Sequence, residues 1–243
     1  MARRKIIAGN WKMHGRSADL GWAERLSALF DAPPSSEVLV FPPATLLAPL
    51  SVRLPGYVAI GGQDCADAAE GARTGDISPL MLSDLGARYV ITGHSERRML
   101  HGESDAVVRA KTEAALKAGL TPVVCVGETL DQRRSGEAQN IVLQQLQASL
   151  PEAAAGHVII AYEPVWAIGT GMTASPDDAE AMHKAIRQAL RSGSGDELRI
   201  LYGGSVNPAN AAELLSRAQI DGALVGGASL DPESFASIIR SAG

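Results

Sequence analysis

Eight short apolar runs recur along the chain, at residues 6–8, 38–41, 58–60, 89–91, 123–126, 158–162, 198–202 and 223–225. Each is continuous rather than alternating, the pattern of a parallel strand buried on both faces. Stretches with helical spacing lie between them. Over residues 105–120, Val108, Thr112, Ala115 and Leu116 share one face and Gly119 supplies a stop. Three helix starts stand out in the second half. Ser175-Pro176, Asn207-Pro208 and Asp231-Pro232 each place a capping side chain before a proline. The cap accepts from orphan backbone N–H groups, and proline at the first helical position sacrifices no intrahelical bond.

Eight strands alternating with helices leave two α/β architectures, a closed (β/α)8 barrel and an open doubly wound sheet. The open sheet with a dinucleotide site needs G-x-G-x-x-G after an early strand, and neither that motif nor a Walker A loop is present. Nothing reads as an interdomain linker. Eight units within 243 residues therefore predict one barrel domain spanning residues 1–243.

Charge narrows the function classes. The net charge is −5 with no basic block, which argues against nucleic acid as a partner. No apolar run approaches the length of a membrane span or a signal-peptide core. Cys65 and Cys125 each sit in an apolar run and form no C-x-x-C pair, as expected of buried thiols in a reducing compartment. These features predict a cytoplasmic protein.

In a barrel of this type, chemistry sits where strands hand over to helices. Glu163 follows the sixth run, and Pro164-Val165-Trp166-Ala167-Ile168-Gly169-Thr170-Gly171 comes next. A stiff start, bulky apolar residues and a glycine-rich tip predict a movable lid, and a carboxylate beside it is placed to act as a general base. His94 precedes the helical-looking Ser95-Glu96-Arg97-Arg98. A helix N-terminus favours a neutral imidazole, which can donate to a developing oxyanion. The histidines at 14, 101, 157 and 183 show no ligand spacing, so a structural or surface role and no metal site are expected. Asn10 and Lys12, two apart on an extended segment, would project together into the mouth and hold an anion. Gly203-Gly204-Ser205 and Gly226-Gly227-Ala228 end the last two units, where backbone N–H groups freed by glycine can approach phosphate oxygens.

Five stretches at these strand ends resemble the triosephosphate isomerase family. They are Gly9-Asn10-Trp11-Lys12-Met13, residues 92–98 from Thr92 to Arg98, residues 161–171 including the lid, Tyr202-Gly203-Gly204-Ser205-Val206 and Leu224-Val225-Gly226-Gly227-Ala228. The resemblance implies a TIM-barrel isomerase of glycolysis and gluconeogenesis. It would interconvert dihydroxyacetone phosphate and glyceraldehyde 3-phosphate through an enediolate, with no cofactor. By the same resemblance Glu163 shuttles the proton, His94 polarises the carbonyl, Lys12 adds positive charge and Asn10 helps hold the substrate. Glu96 partners Lys12, and Gly169, Ser205 and Gly227, with Gly226 beside them, hold the phosphate. The resemblance also implies a homodimer in which Thr74, on an interdigitating loop at residues 63–78, reaches the partner's site. Arg73, Asp64, Asp76 and Met172 depart from residues common in the family. The rival readings are another phosphosugar isomerase or aldolase and a non-catalytic phosphosugar-binding barrel. A Schiff-base aldolase needs a lysine inside the barrel, and Glu163 ends the sixth run instead.

Overall fold

A computed structural model of the chain describes residues 3–154, 156–168, 174–190 and 198–243. Eight parallel strands close on themselves in sequence order. They are β1 (Ile6–Asn10), β2 (Glu37–Phe41), β3 (Val58–Gly62), β4 (Tyr89–Thr92), β5 (Thr121–Val126), β6 (Ile159–Tyr162), β7 (Ile200–Tyr202) and β8 (Gly222–Val225). Closure is made by β1 against β8, with Ile6 opposite Gly222 and Gly9 opposite Val225. The described α-helices are α1 (Trp22–Ser27), α2 (Ala44–Ser51), α3 (Pro79–Asp84), α4 (Ser95–His101), α5 (Asp105–Lys117), α6 (Leu130–Arg134), α7 (Ala138–Ser149), α8 (Pro176–Leu190), α9 (Ala211–Leu215) and α10 (Pro232–Arg240).

The continuous apolar runs are explained by two cores. Ile6, Ala8, Leu39, Phe41, Ile91, Val123, Ile159 and Ala161 fill the barrel interior, and Ile7, Val38, Val40, Val90, Val124 and Ile160 pack outward beneath the helices. Successive strand residues point to opposite faces, so both sets must be apolar. This period carries into the mouth. Asn10 follows Ile6 and Ala8 on the inward face of β1. Glu163 follows Ile159 and Ala161 on the inward face leaving β6.

The helix starts divide. Ser175 Oγ accepts from Asp178 N–H at 3.1 Å, and Asp231 Oδ2 accepts from Ser234 N–H at 2.9 Å. Asn207 instead caps a turn, accepting from Ala209 N–H at 2.9 Å, and α9 begins only at Ala211. Its side chain is used as expected, but the chain takes one more turn before becoming regular helix. In α5, Lys111 joins Val108, Thr112 and Ala115 on the buried face, while Leu116 is half-buried.

Candidate active site

The C-terminal ends of the strands enclose a cavity of about 320 Å3. Asn10, Lys12, His94, Glu163, Ile168, Ser205, Gly226 and Gly227 line it. Sequence-distant candidates thus meet in one place. Of the lid and phosphate candidates, Gly169, Thr170 and Gly171 lie outside the described residues, as does Met172.

Glu163 is buried, and its placement depends on two glycines. A Cβ at Gly127 would overlap the Glu163 carbonyl oxygen, and one at Gly203 would come within 2.8 Å of Glu163 Cγ. Its backbone N–H donates to the Val126 carbonyl at 2.8 Å. Oε2 accepts from Ser95 N–H at 2.9 Å, at the start of α4. Oε1 lies 3.0 Å from His94 Nε2 but out of line, and it has no hydrogen-bond donor among the described residues. One oxygen of a buried carboxylate is therefore left without a hydrogen bond.

His94 is the N-cap of α4. Its Nδ1 accepts from Glu96 N–H at 3.2 Å, so that nitrogen carries no proton. The ring proton of the neutral form then sits on Nε2, on the side of Glu163. The local backbone is fixed from behind. Gly93 turns at φ 68°, and its carbonyl accepts from Arg98 Nε at 2.9 Å. Arg98 also donates to Asp105 at 2.6 Å and to the Cys125 carbonyl at 3.2 Å, which ties the His94 loop to β5 and α5.

Lys12 corrects one expectation. It adopts the left-handed region at φ 53°, so it is not two steps along an extended strand from Asn10. The Asn10 Oδ1 instead accepts from Lys12 N–H at 3.0 Å, and Gln63 Nε2 donates to the Lys12 carbonyl at 2.7 Å. These bonds hold a strained backbone that a lysine does not adopt readily. Lys12 Nζ meets Glu96 Oε1 at 2.6 Å on the cavity rim. Gly227, in the lining of the same cavity, has open space where a Cβ would stand, and it begins a short 3-10 turn through Ser229.

A larger hollow of about 660 Å3 adjoins the mouth and shares Lys12 with it. It holds neither His94 nor Glu163. Its wall carries Lys111, bonded to Asp64 at 2.8 Å and Glu103 at 2.6 Å. The carboxylate and the imidazole converge in the smaller cavity instead. Both cysteines are buried, and burial pushes the Cys65 thiol up to about 12 and Cys125 well above its ordinary range, the latter helped by Glu163. Among the described residues no group of three or more His, Cys, Asp or Glu is arranged to hold a metal.

Residues 5–242 match the family model described as triosephosphate isomerase. The chain belongs to the triosephosphate isomerase family. The family's members interconvert triose phosphates, and the chain is an isomerase of that kind with a triose phosphate substrate. Triosephosphate isomerase from Acidiphilium cryptum is 53% identical over 250 residues, covering 98% of each chain. That from Xanthobacter autotrophicus is 53% identical over 246 residues, covering 98% of this chain and 97% of the relative. The crystal structure of triosephosphate isomerase from Bartonella henselae superposes with a TM-score of 0.91 at 44% identity, over 98% of both chains.

Sequence reasoning missed Glu128, Gly127, Arg98 and Gln63. The end of the fifth run has no lid-like segment after it to mark it, although Val126-Gly127-Glu128 lies there as plainly as Tyr162-Glu163 ends the sixth. The sequence pattern puts Gly203 in a phosphate turn, and the structure gives it a further reason: its missing side chain makes room for Glu163.

Proposed function

We propose that Glu163 is the general base of an aldose–ketose isomerisation between dihydroxyacetone phosphate and D-glyceraldehyde 3-phosphate. The observation that carries this is a buried carboxylate oxygen without a hydrogen bond, 3.0 Å from a histidine nitrogen, in a small cavity with a lysine on its rim. Glu163 removes a proton from the carbon beside the carbonyl. The C–H electron pair becomes the C=C of an enediolate, and the carbonyl oxygen takes the negative charge. His94 Nε2–H and Lys12 Nζ stabilise that charge; the proton of the adjacent hydroxyl passes to the former carbonyl oxygen, and protonated Glu163 returns its proton to the former carbonyl carbon, leaving the new carbonyl on the carbon first deprotonated, the roles this family exemplifies. Asn10 orients the substrate. Backbone N–H groups of Gly169, Ser205 and Gly227, with Gly226 beside them, hold the phosphate, and Glu96 orients Lys12.

The lid over Pro164, Val165, Trp166, Ala167, Ile168, Gly169, Thr170 and Gly171 excludes water during the reaction. Glu163 directly precedes its first residue, so closing the lid draws the carboxylate off Ser95 N–H toward the substrate. A variant with the lid tip deleted is expected to release inorganic phosphate alongside product, and a deletion variant with no extra phosphate contradicts the lid. The base is tested by a coupled isomerisation assay with EDTA present. Fast wild-type turnover, lost in Glu163→Gln and indifferent to chelator, is the expected result. A folded protein that binds a phosphorylated analogue without turnover overturns the reading and favours a binding barrel.

The protein works as a cytoplasmic homodimer. Exposed Met13 lines the larger hollow, Met99 and Leu100 are exposed on α4, and Thr74 is exposed on the loop at residues 63–78. A hollow of that size suits an inserted loop of a second copy. Sedimentation at twice the chain mass is expected, and a monomer that retains full turnover contradicts it. Among the described residues no helix is long and apolar enough to cross a membrane.

A further inference from the structure

Arg133 touches both flanks of the lid. It lies in the last turn of α6, a helix started by a reciprocal cap in which Thr129 Oγ1 accepts from Gln132 N–H at 3.4 Å and Gln132 Oε1 accepts from Thr129 N–H at 2.8 Å. Its guanidinium stacks over the Trp166 ring at 4.8 Å. Its Nη2 pairs with Asp178 Oδ1 at 2.9 Å. Trp166 belongs to the lid's first turn, and Asp178 lies in the first turn of α8, just beyond the lid's other end. Asp178 is also bonded to Ser175, the cap of that helix, at 2.7 Å. The ring of Trp166 is further held from below, where its Nε1 donates to Glu128 Oε1 at 2.9 Å. Glu128 is fully buried, accepts from Tyr162 at 3.2 Å, and has Arg133 Nη1 3.7 Å away.

Trp166 is rigidly connected to the base. Residues 165–167 form a single 3-10 turn, with Ala167 N–H donating to the Pro164 carbonyl at 2.8 Å and Val165 N–H donating to the Glu128 carbonyl at 3.0 Å. A shift of the indole must pass through Pro164 to Glu163. We propose that Arg133 is a positioning residue for the isomerisation: it clasps the lid's two flanks and fixes the path on which Trp166 and Glu163 move. The clasp rests on the lid reading given above. A cation stacked on an indole and shielded from water on one side is a directional contact, and a neutral side chain of equal length does not replace it.

The test compares Arg133→Met, which keeps reach and loses charge, with Arg133→Lys, which keeps charge and loses the planar fork. The readouts are kcat, KM and the inorganic phosphate released per isomerised product, with the lid-tip deletion assayed in parallel. Arg133→Met is expected to lose about tenfold in kcat and to raise the phosphate ratio about tenfold, with KM within about threefold and an unchanged unfolding midpoint. Arg133→Lys is expected to recover most of both losses. A wild-type phosphate ratio in Arg133→Met, while the lid deletion releases phosphate, overturns the clasp alone. Impairment equal in both variants and accompanied by early unfolding makes Arg133 merely structural and also overturns it. Absence of extra phosphate from the lid deletion overturns the lid reading and the clasp together.

Discussion

At the N-terminal end of the barrel Asp221 is saturated with partners. Oδ1 takes Arg3 Nε at 2.6 Å, while Oδ2 takes Arg187 Nη2 and the Ile200 N–H, the latter at 2.8 Å. Glu37 on the same rim takes Tyr89 and Arg199. At the C-terminal end Glu163 is as deeply buried as Asp221, yet Oε1 has no hydrogen-bond donor among the described residues. Ser95 Oγ beside it is equally unpartnered there. One fold thus holds two buried carboxylates of opposite character. A saturated carboxylate stabilises the fold and has no spare lone pair for chemistry, whereas an unsaturated one costs stability and can take a proton from a substrate.

That contrast can be broken at either end. The largest effect on stability is expected from Asp221→Ala, which removes a buried carboxylate shared by Arg3, Arg187 and the Ile200 N–H. Removing one partner of a buried pair costs about 3–5 kcal/mol. Chemical denaturation is expected to show this loss, while kcat/KM of the remaining folded enzyme stays within about twofold. His94→Gln is the counterpart at the mouth. Loss of the Nε2 donor is expected to cost about 10²–10³ in kcat, measured by the coupled assay, with little change in the unfolding midpoint.

His183 sharpens the contrast through pH. It is fully buried between the Tyr162 and Tyr202 rings, and burial brings its imidazole down from 6.5 to about 4, with Arg187 and Lys5 adding to the fall. Between those values the unfolded chain binds the proton and the folded chain does not. Stability from this residue is therefore complete above about pH 6.5 and is lost as pH falls toward 4, by on the order of 3 kcal/mol. Urea midpoints across this range are expected to fall more steeply for wild type than for His183→Gln. The smallest effect is expected at Lys117, paired with Glu113 on the outer face of α5 with both side chains largely exposed. Lys117→Ala is expected to leave turnover and the melting midpoint within error, since exposed pairs are screened by water and salt.

The architecture was legible in the chain because each parallel strand is buried on both sides and so reads as an unbroken apolar run. The mouth was legible in part. Glu163 stands out because a lid-like segment directly follows it at the end of the sixth run, and His94 because it precedes a helix start at the end of the fourth. Other residues were hidden because their reasons are three-dimensional. Gly127 and Gly203 are required by Glu163 pressing on their backbones, and no sequence spacing reveals such a contact. Spacing alone puts Lys12 in the cavity only if the backbone is extended. It lies there through a left-handed turn held by Asn10 and Gln63. Asn207 marked a cap, but whether the next turn is helix depends on tertiary packing rather than on the cap.

The most direct test of the contrast is the unfolding free energy of Glu163→Gln beside its turnover. The amide can still accept from Ser95 N–H but carries no buried charge. The expected result is near-complete loss of isomerisation in a protein at least as stable as wild type, by up to about 1–2 kcal/mol. A Glu163→Gln protein destabilised as severely as Asp221→Ala would show that the carboxylate at the mouth is a structural anchor after all, and would contradict the account.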